Sequence, residues 1–430
     1  MNVQNNSNNS SALVNTLLGS DSVYNPNIYS TKPIVPPHAL TYSKMTPSNG
    51  SIIQAGSTTN FQVNKYGIIS QMLLSYDKRV KNTGAANVTC VIPQSDLLSV
   101  IEKIELMSSS RTISTLTRFD LAAQISDLPE DKTHSMKSSA YDPRSDVGGL
   151  TSDVVNKYTL PLVWGLLQNQ NTQLMGNFLE PISIKVTWGA NLDTLFTSSA
   201  EDATLVPTTS ELTTAIENCT LTVRYVNYPE ESYAKILANN FSRPSLNQLS
   251  TKYYDENRVT RSVNAAANGI SMTCELKSTE CVESFYFMLF RSEVGGAALG
   301  STGPIRKFVP HQIESVKFSG SGQEFFNLDR EELEYAKLGK DGFSWGQSKE
   351  TDNLSKFTHI KKFQMGCYDS YQLENTLSLR EVNNPLLEIT FNHIPTGTNY
   401  YEYTLVVVEN CSAIYAISSA TGAMNISLSN

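Results

Sequence analysis

The sequence predicts an all-β protein built as two similar antiparallel sandwiches in tandem, and three observations lead there. The first is an internal repeat. Ile101–Leu121, IEKIELMSSSRTISTLTRFDL, lies without a gap over Ile313–Leu333, IESVKFSGSGQEFFNLDREEL, at an offset of 212 residues. Ile101/Ile313, Glu102/Glu314, Ser109/Ser321, Leu116/Leu328, Arg118/Arg330 and Leu121/Leu333 are identical. Ile104 stands over Val316, Leu106 over Phe318, Ile113 over Phe325 and Asp120 over Glu332, so chemistry is kept where identity is not. Upstream, Phe61–Leu74 lies over Cys274–Phe287 at nearly the same offset. The second observation is length. At 430 residues the chain exceeds what one core usually supports, and the repeat is domain-sized, far beyond a solenoid unit. The third is composition: 17% charged residues with 20 Tyr and 16 Phe suits strands joined by polar loops.

Taken in order, residues 1–50 read as an N-terminal arm. Met1–Ser11 is Asn/Ser-rich, Ser11–Leu18 suits a short helix, and the prolines of Asn25–Pro47 predict an extended lead into the first domain. Residues 51–243 form the first sandwich, with strands predicted at Thr58–Val63, Ile68–Tyr76, Val88–Pro93, the repeated hairpin, Tyr158–Leu167, Ile182–Trp188 and Leu221–Val226. Ser126–Asn156 and Asn191–Thr209 are long polar loops, and Pro229–Asn239 favours a helix. Residues 244–430 repeat the order, with strands at Ile270–Leu276, Val282–Phe290, Ile313–Phe326, Phe357–Cys367, Leu386–Phe391, Tyr403–Val408 and Ala413–Ser418. Gly295–Lys307 and Lys337–Ser355 read as exposed loops. Leu405–Val408 is apolar at consecutive positions, which predicts a strand buried on both faces.

Each copy of the repeat reads as strand, tight turn, strand and helix start. Ile104 and Leu106 alternate with Lys103 and Glu105, the period of a strand with one buried face. Ser319–Gly322 supplies glycines for a turn with positive φ; the first copy turns on Ser108–Ser110 instead.

The net charge of −8 argues against nucleic-acid binding as the main task, because neutralising phosphates needs clustered Lys and Arg. Cys90, Cys219, Cys274, Cys281, Cys367 and Cys411 show no C-x-x-C spacing and sit largely in apolar runs, so buried free thiols are expected rather than zinc or disulfides. The five histidines stand at no metal-ligand spacing. The N-terminus lacks the pattern of a signal peptide and no apolar run reaches a membrane span, so synthesis and folding in a cytoplasm are expected.

With both copies laid out, the chain from about Thr58 to Asn430 resembles the double jelly-roll major capsid proteins of tailless icosahedral viruses that enclose a membrane. The resemblance rests on the order and spacing of several segments. These are the first hairpin, Leu160–Trp164 with Pro181–Val186, the closing strand and acidic step of Leu221–Glu231, and Asn410–Met424. Two departures stand out: serines replace the glycine pair of the first hairpin, and the polar QNQNTQLMGN follows the Trp164 strand. The resemblance implies a structural protein, a double jelly roll with short helices in its loops. Three copies would form a capsomer of pseudo-six-fold outline in a virion shell. Its partners would be itself, neighbouring capsomers, minor capsid or penton proteins, and the internal membrane through the N-terminal arm. No enzyme activity, catalytic residue, metal or cofactor is expected.

Two other classes remain to be weighed. A glycan-cleaving enzyme on paired jelly rolls would use carboxylates in the groove between them, with Glu102, Asp120, Glu314, Asp329, Glu331 and Glu332 available. The plainer expectation is that Asp120 and Glu332 lead helices, and that Glu102 and Glu314 lie at an exposed strand rim before burial begins. Arg118 and Arg330 would be salt-bridge partners rather than an anion site. A host glycan-binding spike protein would use aromatic loops, with Tyr253, Tyr254, Phe343 and Trp345 as candidates.

Overall fold

The computed structural model describes residues 39–48, 53–82, 90–91, 100–126, 153–162, 174–175, 180–189, 197–198, 212–230, 245–264, 269–276, 281–293, 307–308, 311–335, 360–364, 368–369, 372–373, 377–393, 400–418, 421 and 424–428. The predicted helix Ser11–Leu18, the predicted helix Pro229–Asn239 beyond Glu230, and most of the four predicted loops lie outside these residues.

The first half contributes β1 (Ala39–Met45), β2 (Thr58–Gln62), β3 (Ile68–Asn82), β4 (Ile101–Ser108), β5 (Arg111–Thr117), α1 (Arg118–Ser126), β6 (Asp153–Pro161), β7 (Ile182–Trp188) and β8 (Leu212–Asn227). They pair into two antiparallel sheets, ordered β1-β8-β3-β6 and β2-β7-β4-β5. The second half contributes β9 (Ser245–Asn264), β10 (Gly269–Glu275), β11 (Cys281–Glu293), β12 (His311–Gly320), β13 (Gln323–Asp329), α2 (Arg330–Tyr335), β14 (Ile360–Gln364), β15 (Leu386–His393), β16 (Tyr400–Ser418) and β17 (Met424–Leu428). Their sheets run β9-β16-β11, with β14 also on β11, and β10-β15-β12-β13. Substituting one half's strands for the other's reproduces the pairing order strand for strand. The duplication is therefore one of topology as well as of residues.

Alternation places the cores. In β7, Ile182, Ile184, Val186 and Trp188 are buried while the residues between them are half-buried. Trp188 donates from Nε1 to Thr59 Oγ1 at 2.8 Å, and its ring meets Tyr76 edge-on at 5.4 Å. In the second half, Leu387, Ile389 and Phe391 of β15 do the same service against Phe285, Phe287 and Leu289 of β11.

The sequence reading missed the sheet-edge strands β1 and β9, and the short β17. Ala39–Met45, assigned to the arm, pairs along its whole length with β8. Its outer positions Leu40, Tyr42 and Lys44 are exposed and only Met45 is buried, so it carries no apolar alternation. Ser245–Asn264 is mostly polar and its few apolar residues do not alternate, yet it pairs along nearly all of β16. That strand in turn runs unbroken across the predicted gap between Val408 and Ala413.

The two hairpins match in detail. A bulge falls at Glu102 between Ile101 and Lys103, and another at Glu314 between Ile313 and Ser315. Here the expectation of an exposed rim before burial begins is corrected: Ile101 and Ile313 are already buried, and the extra residue of the bulge resets the phase. That is how Ile101 and Ile104, an odd number of positions apart, both point into the core. A second bulge falls at Ile113 and at Phe325. At the turns Ser109 and Ser321 take φ of 55° and 51°, and Gly322 takes 73°. Glycine at 322 thus serves the turn as expected. Gly320 has a different reason, since a Cβ there would overlap Val382 Cγ1.

Candidate functional site: the seam between the two rolls

Strands β11 and β16 are buried on both faces. Leu405 and Val407 join the second core, whereas Val406 and Val408, with Tyr286 and Met288 beside them on β11, join the buried cluster of the first half. This bears out the consecutive apolar run, and it shows what covers the outer face. Helix α1 packs against β16 and β9, and β5 packs against β17. The two rolls thus share one continuous apolar seam, in which Phe119, Leu121 and Ala123 of α1 are buried. On the same face of β11 and β16, Asn410 donates from Nδ2 to Ser284 Oγ at 3.2 Å.

Helix α1 starts where it does because of a reciprocal cap. The Thr117 backbone N–H donates to Asp120 Oδ2 at 2.7 Å and the Asp120 N–H to Thr117 Oγ1 at 3.2 Å. The second copy repeats this: the Asp329 N–H donates to Glu332 Oε2 at 3.1 Å and the Glu332 N–H to Asp329 Oδ1 at 2.9 Å. Asp120 and Glu332 are helix-leading acids, as read from the sequence. Glu314 pairs with Arg330 at 3.5 Å, and Arg118 lies over the Phe119 ring at 4.9 Å from its centroid. Glu102 and Glu331 are exposed. Five of the six carboxylates are therefore divided among bulges, caps and an ion pair, the sixth, Glu331, is exposed, and the described part of the seam is filled mainly by apolar side chains.

Other charges sit in cross-strand pairs. Glu105 on β4 faces Lys185 on β7 at 3.4 Å, with Lys103 at 3.1 Å. At the equivalent register Lys317 faces Glu388, with the signs reversed, and Lys317 also reaches Glu324 at 2.7 Å. The hydrogen bond and charge of Glu324 hold the Lys317 ammonium above its usual range. Cys219, Cys274 and Cys411 are buried, and burial pushes the Cys219 thiol up to about 12. Burial pushes the Tyr225 hydroxyl up to about 12 as well, against the opposing effect of its hydrogen bond to the Asn64 carbonyl. Tyr253 and Tyr254 lie within β9, and Phe343 and Trp345 lie outside the described residues. Sequence reasoning passed over the buried Lys78 and Glu409, which no motif marks.

No protein-family model and no curated relative matches the sequence. Solved structures do match the fold. PBCV-1 VP54, fitted into a reconstruction of the virophage Sputnik, gives a TM-score of 0.62 at 11% identity, covering 96% of this chain and 100% of its own. The chain has the double jelly-roll fold. The Faustovirus major capsid protein matches it at 0.58 and 10% identity, over 95% of this chain and 98% of that one. The mavirus major capsid protein matches at 0.57 and 10%, over 95% and 96%. Identity this low over nearly full length means that burial pattern and strand order, rather than particular residues, carry the double jelly roll.

Proposed function

We propose that this double jelly-roll chain is a major capsid protein, a structural protein whose trimers form pseudo-hexameric capsomers of an icosahedral virion shell. The observation that carries this reading is the pair of topologically equivalent rolls locked side by side by an apolar seam. Three such chains present six similar units, and closed cyclic symmetry is the usual solution for a self-assembling chain. The whole-length likeness to capsid proteins supports the reading. Rolls dividing near residue 244, with Ala39–Met45 added to the first, would stand upright together. The remaining N-terminal residues would tie capsomers to their neighbours or to an internal membrane, and minor capsid or penton proteins would complete the shell. The protein would be made in a host cytoplasm and reside in the virion, without enzymatic activity. The glycan-cleaving alternative finds no support, since five of its candidate carboxylates serve caps, bulges and an ion pair and the sixth, Glu331, is exposed.

Light scattering of the purified chain, with negative-stain imaging of the same peak, tests the proposal. A mass of three times 47.5 kDa and a six-lobed outline is the expected result. A chain that stays at 47.5 kDa at high concentration refutes it.

A further inference from the structure

The internal duplication says which surfaces remain open. In the first roll Ile113, Leu116 and Phe119 are buried, with β5 and α1 lying against the second roll. Their equivalents 212 residues on are Phe325, 46% exposed, Leu328, half-buried against the second roll's own core, and Glu331, exposed. One roll's hairpin surface is thus covered by its neighbour, and the other roll's matching surface is open. The converse holds for the outer sheet faces. Tyr286, Met288, Val406 and Val408 are buried in the seam. By strand register their first-roll equivalents are Leu73, Ser75, Thr220 and Thr222, all half-buried. On that same face, Leu40 is 51%, Tyr42 62% and Val155 41% exposed.

Of the six large apolar side chains exposed among the described residues, four therefore lie on the two surfaces that the duplication matches: Leu40, Tyr42, Val155 and Phe325. Charge agrees. Glu324, Glu331 and Glu332 are exposed around the open hairpin, and Lys44 and Lys157 on the open sheet face.

We propose that the Phe325 surface of one chain docks on the Tyr42–Leu73–Val155 face of a second copy, repeating between chains the contact that the seam makes within one. The inference rests on the capsomer reading and names its interface. The contact is heterologous, so it propagates around a ring until the ring closes. The open face is threonine-rich where the seam is valine-rich, which suits a surface that meets water before assembly.

The test uses full-length chains carrying Phe325→Glu or Tyr42→Glu. Tyr42 is 62% and Phe325 46% exposed, with the Phe325 ring 5.2 Å from that of buried Phe318, so circular dichroism checks that each variant keeps its fold. Each variant alone should stay at one chain mass by light scattering. An equimolar mixture should give a two-chain species, because each variant keeps the surface that the other has lost. Wild-type-like assembly of either variant, or a mixture that stays at one chain mass, overturns the placement while leaving the capsomer reading intact. A wild-type chain that never associates overturns both. Should a glutamate variant lose its circular dichroism signal, Phe325→Ser and Tyr42→Ser are judged by the same criterion.

Discussion

Replacing Gly320 by alanine tests whether the hairpin turn of the second roll is held by space rather than by backbone freedom. A Cβ at 320 would overlap Val382 Cγ1 and stand 3.3 Å from the Asn383 carbonyl oxygen and 3.4 Å from Pro385 Cα. The Val382 methyl can turn aside. The Asn383 carbonyl cannot yield as easily, because it accepts the Ser321 N–H at 2.6 Å while the Asn383 N–H donates to Ser321 Oγ at 2.9 Å. Overpacking of this kind costs about 1–3 kcal/mol. For a unit of this size each kcal/mol lowers the melting temperature by roughly 2–4 °C. Calorimetry of Gly320→Ala should therefore show a fall of about 2–12 °C in the transition of the second roll. Adding Val382→Ala should recover part of it, with a coupling of at least about 0.5 kcal/mol. The first roll supplies the control, since its equivalent Ser108 carries a Cβ and donates from Oγ to Glu180 at 3.2 Å. A Gly320→Ala chain that melts with the wild type, or a double variant whose losses simply add, would refute the steric account.

Two more measurements follow from the caps and the buried thiol. Asp120→Ala should cost about 1–2 kcal/mol and Glu332→Ala under about 1 kcal/mol, because the first cap is buried at the seam and the second is exposed; equal losses in denaturant titrations would contradict the burial difference. Cys219 should resist thiol reagents in the folded chain at pH 8. Its raised pKa makes the unfolded chain release the proton first, so stability should fall as pH rises from about 9 to about 12, by at most about 1.4 kcal/mol per pH unit. A Cys219→Ala variant with the same alkaline slope as wild type would show that this thiol contributes nothing to it.

Much of the fold was legible because buried strands write their period into the chain. Ile182–Trp188 was read with its observed ends, and the run Leu405–Val408 announced two buried faces. The paired caps were legible because Asp120 and Glu332 stand at the same place in both copies. The edge strands Ala39–Met45 and Ser245–Asn264 were not legible, although Thr58–Gln62 and Gly269–Glu275, also at sheet edges, were. A strand such as Ala39–Met45 has one neighbour and a wet outer face, so nothing selects for apolar alternation along it. Nor did parity explain Glu102 and Glu314, because a bulge is a property of the partner's register and leaves no residue signature of its own.

The sequence by itself determined that this protein is two β domains of common pattern, since an apolar period and a 212-residue repeat survive in the order of residues alone. Only the tertiary structure decided which copy of each repeated surface is covered. Ile113 and Phe325 are equally apolar and occupy the same place in the repeat, yet one is buried and the other 46% exposed. Burial depends on what the neighbouring roll places opposite a side chain, and a repeat read along one chain cannot contain that information.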